Sequence, residues 1–455
     1  MTAICEFIST LDGYRGRDAI VWRDRTYRFD DILGAMEDCQ RDFVSCGLRA
    51  GSTVALEADY SPAAVAALLA LMKLGAIAVP LTASVASRKS EFCGVAGVEW
   101  TIRIDREDRR SVVPCDRSAA HELIQRLRAE GHAGLILFSS GSTGRSKAVL
   151  HDMELLVRKY LKPRHSYRTL AFLLFDHIGG VDTLLYNLAN GSCLVTVADS
   201  SPDSVCAAIA AHRVEVLPVS PTFINLLLLS GAPTRHDLSS LKIITYGAEV
   251  MSEGTLARLR ETFPDAKLIQ KFGTTEIGTM RSQSRDSGSV WVKIGGEGYA
   301  TRIVDGLLEV KAQSAMLGYL NAPDPFTPDG WFKTGDAVEV DGEWMRILGR
   351  RSEMINVGGE KVFPSEVEGV LQEMDGVEEV TVSGETNVIM GMIVVARVKL
   401  RGEETVATFR KRMFDFCRSR LPAYKIPQKV LLMDRTLTGA RFKKMRLAVA
   451  NGTVQ

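Results

Sequence analysis

Between Phe138 and His151 the chain reads FSSGSTGRSKAVLH. Glycines and small hydroxyl residues ahead of a lysine suit one chemistry above others, the wrapping of a phosphate chain. Glycine lets backbone N–H groups approach phosphate oxygens, and hydroxyls add further donors. On this reading Ser139, Ser140, Gly141, Ser142, Thr143, Gly144 and Lys147 are the phosphate-binding residues. The pattern is not the GxxxxGK(S/T) loop. Only two residues separate Gly141 from Gly144, the lysine comes three after Gly144, and Ala148 stands where a magnesium-binding hydroxyl is required.

Such a loop needs rigid elements on both sides. At 455 residues the chain exceeds one ordinary core and predicts two or three domains. Helix and strand patterns alternate through SVCAAIAAHRVEVLPVSPTFINLLLLS and TLARLRETFPDAKLIQKFGTTE, which predicts parallel sheets covered by helices. The apolar stretch SPAAVAALLALMKLGAIAVPL is broken by Lys73 and Gly75; it predicts a buried helix turning into a strand, not a membrane span. From about Gly295 to Gly349 short alternating runs split by Gly, Pro and Asp predict β-ribbons or a small barrel. After Arg350 the pattern becomes compact α+β, with helices at PSEVEGVLQEM and TVATFRKRMFDFCRSRL. The expected fold class is α/β: a large N-terminal domain over 1–350 and a small, mobile α+β domain over 351–455.

Composition narrows the partners. With 46% hydrophobic and 24% charged residues the chain reads as a soluble globular protein. Lys plus Arg 56 against Asp plus Glu 55 gives a formal charge of +1, which argues against a nucleic-acid or acidic-membrane footprint and for small-molecule partners. The eight cysteines form no CxxC pair, so neither zinc nor a disulfide framework is indicated and a reducing cytoplasm is expected. The N-terminus lacks the basic and apolar regions of a secretion signal.

Five motifs in order then resemble the adenylate-forming superfamily of acyl-CoA synthetases, peptide-synthetase adenylation domains and beetle luciferases. SSGSTGRSKAVLH resembles its phosphate loop, KFGTTEIG its aromatic-Gly-x-Thr-Glu motif, and GWFKTGD its ribose-binding aspartate segment. GRRSEMINVGGEKVFPSEVE resembles the hinge and first strand of its mobile C-terminal domain, and LPAYKIPQKVLLMD that domain's closing segment. The resemblance implies ATP, magnesium and a carboxylic acid as ligands. It gives Phe272 to adenine, Thr275 to the α-phosphate, Glu276 to magnesium, and Asp336 with Arg350 to the ribose hydroxyls. A carboxylate suits a vicinal diol because it accepts two hydrogen bonds. Gly273, Thr274, Gly247, Ala248 and Glu249 would border the nucleotide and the acid, and Ser352 would be the hinge residue.

The chemistry implied is activation of the acid as an acyl-adenylate, followed by transfer to a thiol. Coenzyme A is the expected acceptor, with Gly358 and Gly359 allowing close approach of its pantetheine; a separate acyl carrier protein presents the same thiol and is the alternative. His177 in FDHIGG would lie by the acid pocket, while Asp176 before it would face a cationic substrate group, cap a helix or face solvent. The family's C-terminal lysine is Ala440 if LTGA is aligned with its glycine, but ungapped counting from LPAYKIP reaches Lys443, with Phe442 replacing the glycine and Arg446 ending KKMR. A reading of another class, a non-catalytic adenylate binder, is opposed by the survival of Lys147, Thr275, Glu276, Asp336 and Arg350.

Overall fold

The stretch from Ser61 to Leu81 folds as its pattern predicts. Ser61 accepts a hydrogen bond from Ala64 N, Pro62 opens the helix Pro62–Leu74, Gly75 ends it at φ 77°, and the strand Ile77–Leu81 follows. Ser at the cap, Pro in the first turn and a left-handed Gly at the end are the residues that these positions favour. The helix is apolar all round, so it must be covered on all sides. It packs on the helices Ala3–Asp12 and Phe29–Cys46 and on the strands Thr53–Glu57 and Ile77–Leu81, in a core that also takes Ala19 and Ile20 from a second sheet.

The computed structural model describes residues 2–116, 118–139, 146–388, 390–439 and 442–446. Both sheets that contribute to this core have seven strands. The first runs Lys267–Gln270, Ile243–Tyr246, Val216–Val219, Thr169–Leu170, Leu194–Val195, Asp18–Trp22, Arg25–Arg28, parallel except for its last pair. The second has parallel neighbours Gly134–Ser139, Ile77–Leu81, Thr53–Glu57 and Trp100–Ile104, with Lys147–Asp152 antiparallel to Gly134–Ser139. Where ribbons or a small barrel are expected stands a six-stranded antiparallel sheet that includes the long pair Phe332–Asp341 and Trp344–Arg350.

Beyond Arg350 a separate core is drawn from Ile355 to Val430 alone. Strands Val377–Asn387 and Gly391–Leu400 pair antiparallel, and Lys429–Leu432 adds in parallel. The helices Pro364–Leu371 and Val406–Cys417 bury Val367, Leu371, Phe409, Met413 and Cys417 into that core. Among the described residues no helix is long and apolar enough to cross a membrane.

Candidate active site

A cleft of about 430 Å³ opens where these units meet, within the size range of small-molecule sites. Two strands of the second sheet supply its first wall. Ser139 pairs with Lys147 across Gly134–Ser139 and Lys147–Asp152, so both stand at one strand end and line the cleft. Ser140, Gly141, Ser142, Thr143 and Gly144 lie outside the described residues. Lys147 Nζ sits 4.8 Å from the centre of the Tyr319 ring, and Tyr319 Oη donates to Glu276 Oε1 at 2.7 Å. Burial and the adjacent Glu276 charge push the Tyr319 hydroxyl up, so it stays protonated and donates. His151 Nε2 lies 2.6 Å from Thr275 O. A carbonyl only accepts, so the ring proton is on Nε2. Burial holds the His151 pKa down to about 4, and the neutral ring pins the backbone that carries Thr275 and Glu276.

The antiparallel sheet supplies a second wall. Asp336 and Arg350 pair across its two long strands, with Arg350 Nε 3.1 Å from Asp336 Oδ1. Burial pushes the Asp336 carboxyl up and the guanidinium opposes it. Phe272, Gly273, Thr274 and Thr275 follow the strand Lys267–Gln270 and line the cleft. Thr274 Oγ1 and Gln270 Oε1 are buried with no hydrogen-bond partner among the described residues, groups that a polar ligand would satisfy.

Ala248 and Glu249 line the cleft after the strand Ile243–Tyr246. Ala248 holds φ 68°, a region that residues with a Cβ seldom occupy outside functional sites. Glu249 Oε2 accepts from Thr222 Oγ1 at 2.6 Å, and its Oε1 from Lys444 N at 2.9 Å. Gly247 is not among the lining residues; a Cβ there would lie 2.5 Å from Lys271 O, so its glycine serves the close packing of two strand ends.

His177 caps the helix Ile178–Ala189, its Nδ1 accepting from Gly179 N at 3.1 Å, and it lines the cleft with Ile178. Asp176 is 3% exposed and takes the hydroxyl of Thr82 at 2.9 Å. It neither faces solvent nor caps the helix, because the neighbouring imidazole occupies the cap position.

The segment Phe442–Arg446 closes the cleft. Lys443 and Lys444 both line it, yet Lys444 Nζ is 3.0 Å from Glu368 Oε2, and Arg446 reaches the Glu368 oxygens at 2.9 and 2.7 Å. Burial alone would raise Glu368; the two cations hold it down at about 2. Ala440 lies outside the described residues. Gly358 and Gly359 stand in the exposed turn between Ile355–Val357 and Glu360–Val362, with φ 58° and 95°, and are not among the lining residues.

Residues 9–306 match the AMP-binding enzyme family, and residues 366–441 match the AMP-binding enzyme C-terminal domain. The chain belongs to the AMP-binding enzymes. It is 30% identical over 316 residues to the methyl-dioxo-octahydroindenyl propanoyl:CoA ligase of Rhodococcus jostii (strain RHA1), a match covering 66% of this chain and 61% of that protein. Against the 2-succinylbenzoate–CoA ligase of Bacillus subtilis (strain 168) it is 25% identical over 469 residues, covering 94% of each. Its fold superposes with TM-score 0.82 on the anthranilate CoA ligase AuaEII in complex with anthranoyl-AMP, at 20% identity over 98% of this chain and 96% of that one.

The donor set of this AMP-binding enzyme fits a nucleotide and a divalent cation. Asp336 is a buried acceptor, and Thr274 Oγ1 awaits a polar partner. Glu276 is held by a neutral phenol and, among the described residues, by no cation, so its charge is available to a hard metal ion that prefers oxygen ligands. Sequence reasoning missed Tyr319, His151, Glu368 and Lys271. His151, Lys271 and Glu368 were at hand, as end residues of the quoted stretches FSSGSTGRSKAVLH, KFGTTEIG and GRRSEMINVGGEKVFPSEVE, while Tyr319 lies outside the quoted motifs and reaches Glu276 through long-range packing.

Proposed function

We propose that this AMP-binding enzyme joins a carboxylic acid to the thiol of coenzyme A through an acyl-adenylate. The observation that carries the reading is the convergence on one cleft of Lys147, Thr275, Glu276, Asp336, Arg350 and Lys443, drawn from distant segments. The relatives named above, as CoA ligases, support it.

A carboxylate is a poor acyl donor because its leaving group would be oxide. In the first half-reaction a carboxylate oxygen bonds to the α-phosphorus of ATP, and the bond to pyrophosphate breaks. The thiol then bonds to the acyl carbon as AMP leaves, and the thiol proton is released. Ser139, Ser140, Gly141, Ser142, Thr143, Gly144 and Lys147 would hold the triphosphate, and Thr275 would donate to the α-phosphate. Phe272 would pack on adenine, with Gly273, Thr274, Ala248 and Glu249 alongside, while Asp336 and Arg350 would take the ribose. Magnesium at Glu276 supplies neutralisation of phosphate charge when bound. Lys443 would bring a point charge to the reacting carboxylate and α-phosphate, and His177 would border the acid.

Gly358 and Gly359 are proposed to line the pantetheine path in the second half-reaction. They stand away from the cleft, so that role requires the unit 351–455 to turn against 1–350, with Ser352, in the turn Arg351–Glu353, as the pivot. None of the eight cysteines is in a disulfide, which supports the cytoplasm as the place of work.

The test is exchange of labelled pyrophosphate into ATP with a panel of acids. Glu276→Gln is expected to lower exchange by on the order of 10²-fold or more, as loss of one charge-stabilising group does. Equal rates in the variant would remove the assignment. Comparing free coenzyme A with a pantetheinylated carrier protein in the second step identifies the acceptor.

A further inference from the structure

Lys271 has no task in the two half-reactions. It follows the strand Lys267–Gln270, its N–H donates to Tyr246 O at 2.7 Å, and the residue lines the cleft. The backbone here is fixed, because Gly247 packs directly against the Lys271 carbonyl. Among the described residues no hydrogen bond or ion pair reaches the ammonium.

The carboxylate whose field bears on it is Asp182, in the helix that His177 caps. That carboxylate is already taken: Lys159 Nζ and Tyr160 Oη both donate to its Oδ1, the phenol at 2.6 Å. Arg164 and Lys267 add further positive charge around Lys271. Lys271 therefore has to share Asp182 with Lys159, which already holds it. Burial pushes the Lys271 pKa down, and Asp182 opposes this. A half-buried ammonium with no acceptor carries part of the cost of leaving water, and a ligand that brings the missing anion removes it.

We propose that Lys271 is a specificity residue that takes an anionic group on the acid distant from the carboxylate to be activated. The substrate class is then an acid with a second anion, in the simplest case a dicarboxylic acid. This rests on the acid-activating reading, with the reacting carboxylate assigned to Lys443.

The test uses pyrophosphate exchange with matched pairs, namely succinate, glutarate and phthalate against their monomethyl esters, on wild type, Lys271→Met and Lys271→Arg. In the wild type a diacid is expected to exceed its ester in kcat/KM by on the order of 10²-fold, because a site built for a polar group rejects the analogue lacking it. Lys271→Met is expected to bring that ratio close to one through a raised KM for the diacid, and Lys271→Arg to keep most of it. If Lys271→Met does not fold, Lys271→Gln takes its place. Esters exchanging as well as diacids in the wild type overturn the proposal. So does equal loss of both in Lys271→Met, which would put Lys271 on the shared carboxylate. In either case exchange that still depends on Glu276 leaves acid activation standing; no exchange with any acid, mono or di, sinks both.

Discussion

The lysines at 443 and 444 carry the same charge into different surroundings. Lys444 pairs with Glu368, which is 1% exposed, while its own N–H donates to Glu249. A lysine bound to a buried carboxylate is a structural cation, and Lys443, which also lines the cleft, is the one proposed to act on the reacting carboxylate. Lys443→Ala is expected to slow adenylation by on the order of 10²- to 10³-fold, the usual effect of removing one group that stabilises developing charge. Thioester formation from preformed acyl-adenylate is expected to stay within a few fold. Lys444→Ala strips one partner from a buried charge, so its effect belongs in stability. Arg446 still holds Glu368, so the loss is expected below the ~3–5 kcal/mol of a fully broken buried pair, read as a lower Tm. A larger adenylation defect in Lys444→Ala than in Lys443→Ala would shift the register by one.

At the level of the element, the segment around Lys443 is a tight hairpin. Gly439 N donates to Lys443 O at 3.0 Å, Met445 N to Leu437 O at 2.8 Å, and Phe442 sits in the bend at φ 48°. A left-handed residue with a Cβ costs about 1–2 kcal/mol. The ring offsets this by packing 5.3 Å from both Phe172 and Phe223, contacts worth about 0.5–1.5 kcal/mol each beyond the area they bury. Ser220 Oγ adds a hydrogen bond to the Phe442 carbonyl at 3.0 Å. The hairpin is thus docked on the large unit by Phe442, the residue that the proposed register sets in place of the family's glycine. Phe442→Gly removes the ring but also the strain, whereas Phe442→Ala removes only the ring. Adenylation rates are expected to fall in the order Phe, Gly, Ala, spanning roughly 5–30-fold for a change of about 1–2 kcal/mol. Single-turnover formation of acyl-adenylate measures this, and an alanine variant faster than the glycine variant would contradict the balance drawn here.

Across the whole molecule, the two units meet along the helices Glu253–Thr262 and Pro364–Leu371. A Cβ on Gly369 would stand 3.0 Å from Ser252 Cβ, and one on Gly254 2.0 Å from Glu373 Oε1. The second clash is with the tip of a flexible side chain and is easily relieved. The first is with the residue that caps the helix Glu253–Thr262, which cannot move away cheaply. Gly369→Leu is therefore expected to disfavour this arrangement of the units, lowering pyrophosphate exchange more than thioester formation from preformed acyl-adenylate. Equal loss in both steps would mean that the substitution damages the small unit itself.

The sequence by itself determined the elements and the order of the chemistry. Ser61, Pro62 and Gly75 set a helix through backbone preferences that need no distant partner, and Ser139 and Lys147 flank a loop whose composition already implies phosphate. Asp336 and Arg350 were readable for the same reason, since each lies in a short motif of defined spacing. Only the tertiary structure decided which charges are occupied. Nothing local marks Lys444 as bound to Glu368, Asp176 as bound to Thr82, or Tyr319 as the phenol between Lys147 and Glu276. Lys271 was unreadable in the same way, because its importance lies in the partner that Lys159 and Tyr160 have taken. Backbone conformation is governed by neighbours in the chain, whereas the state of a buried charge is governed by neighbours in space, and folding alone assembles those.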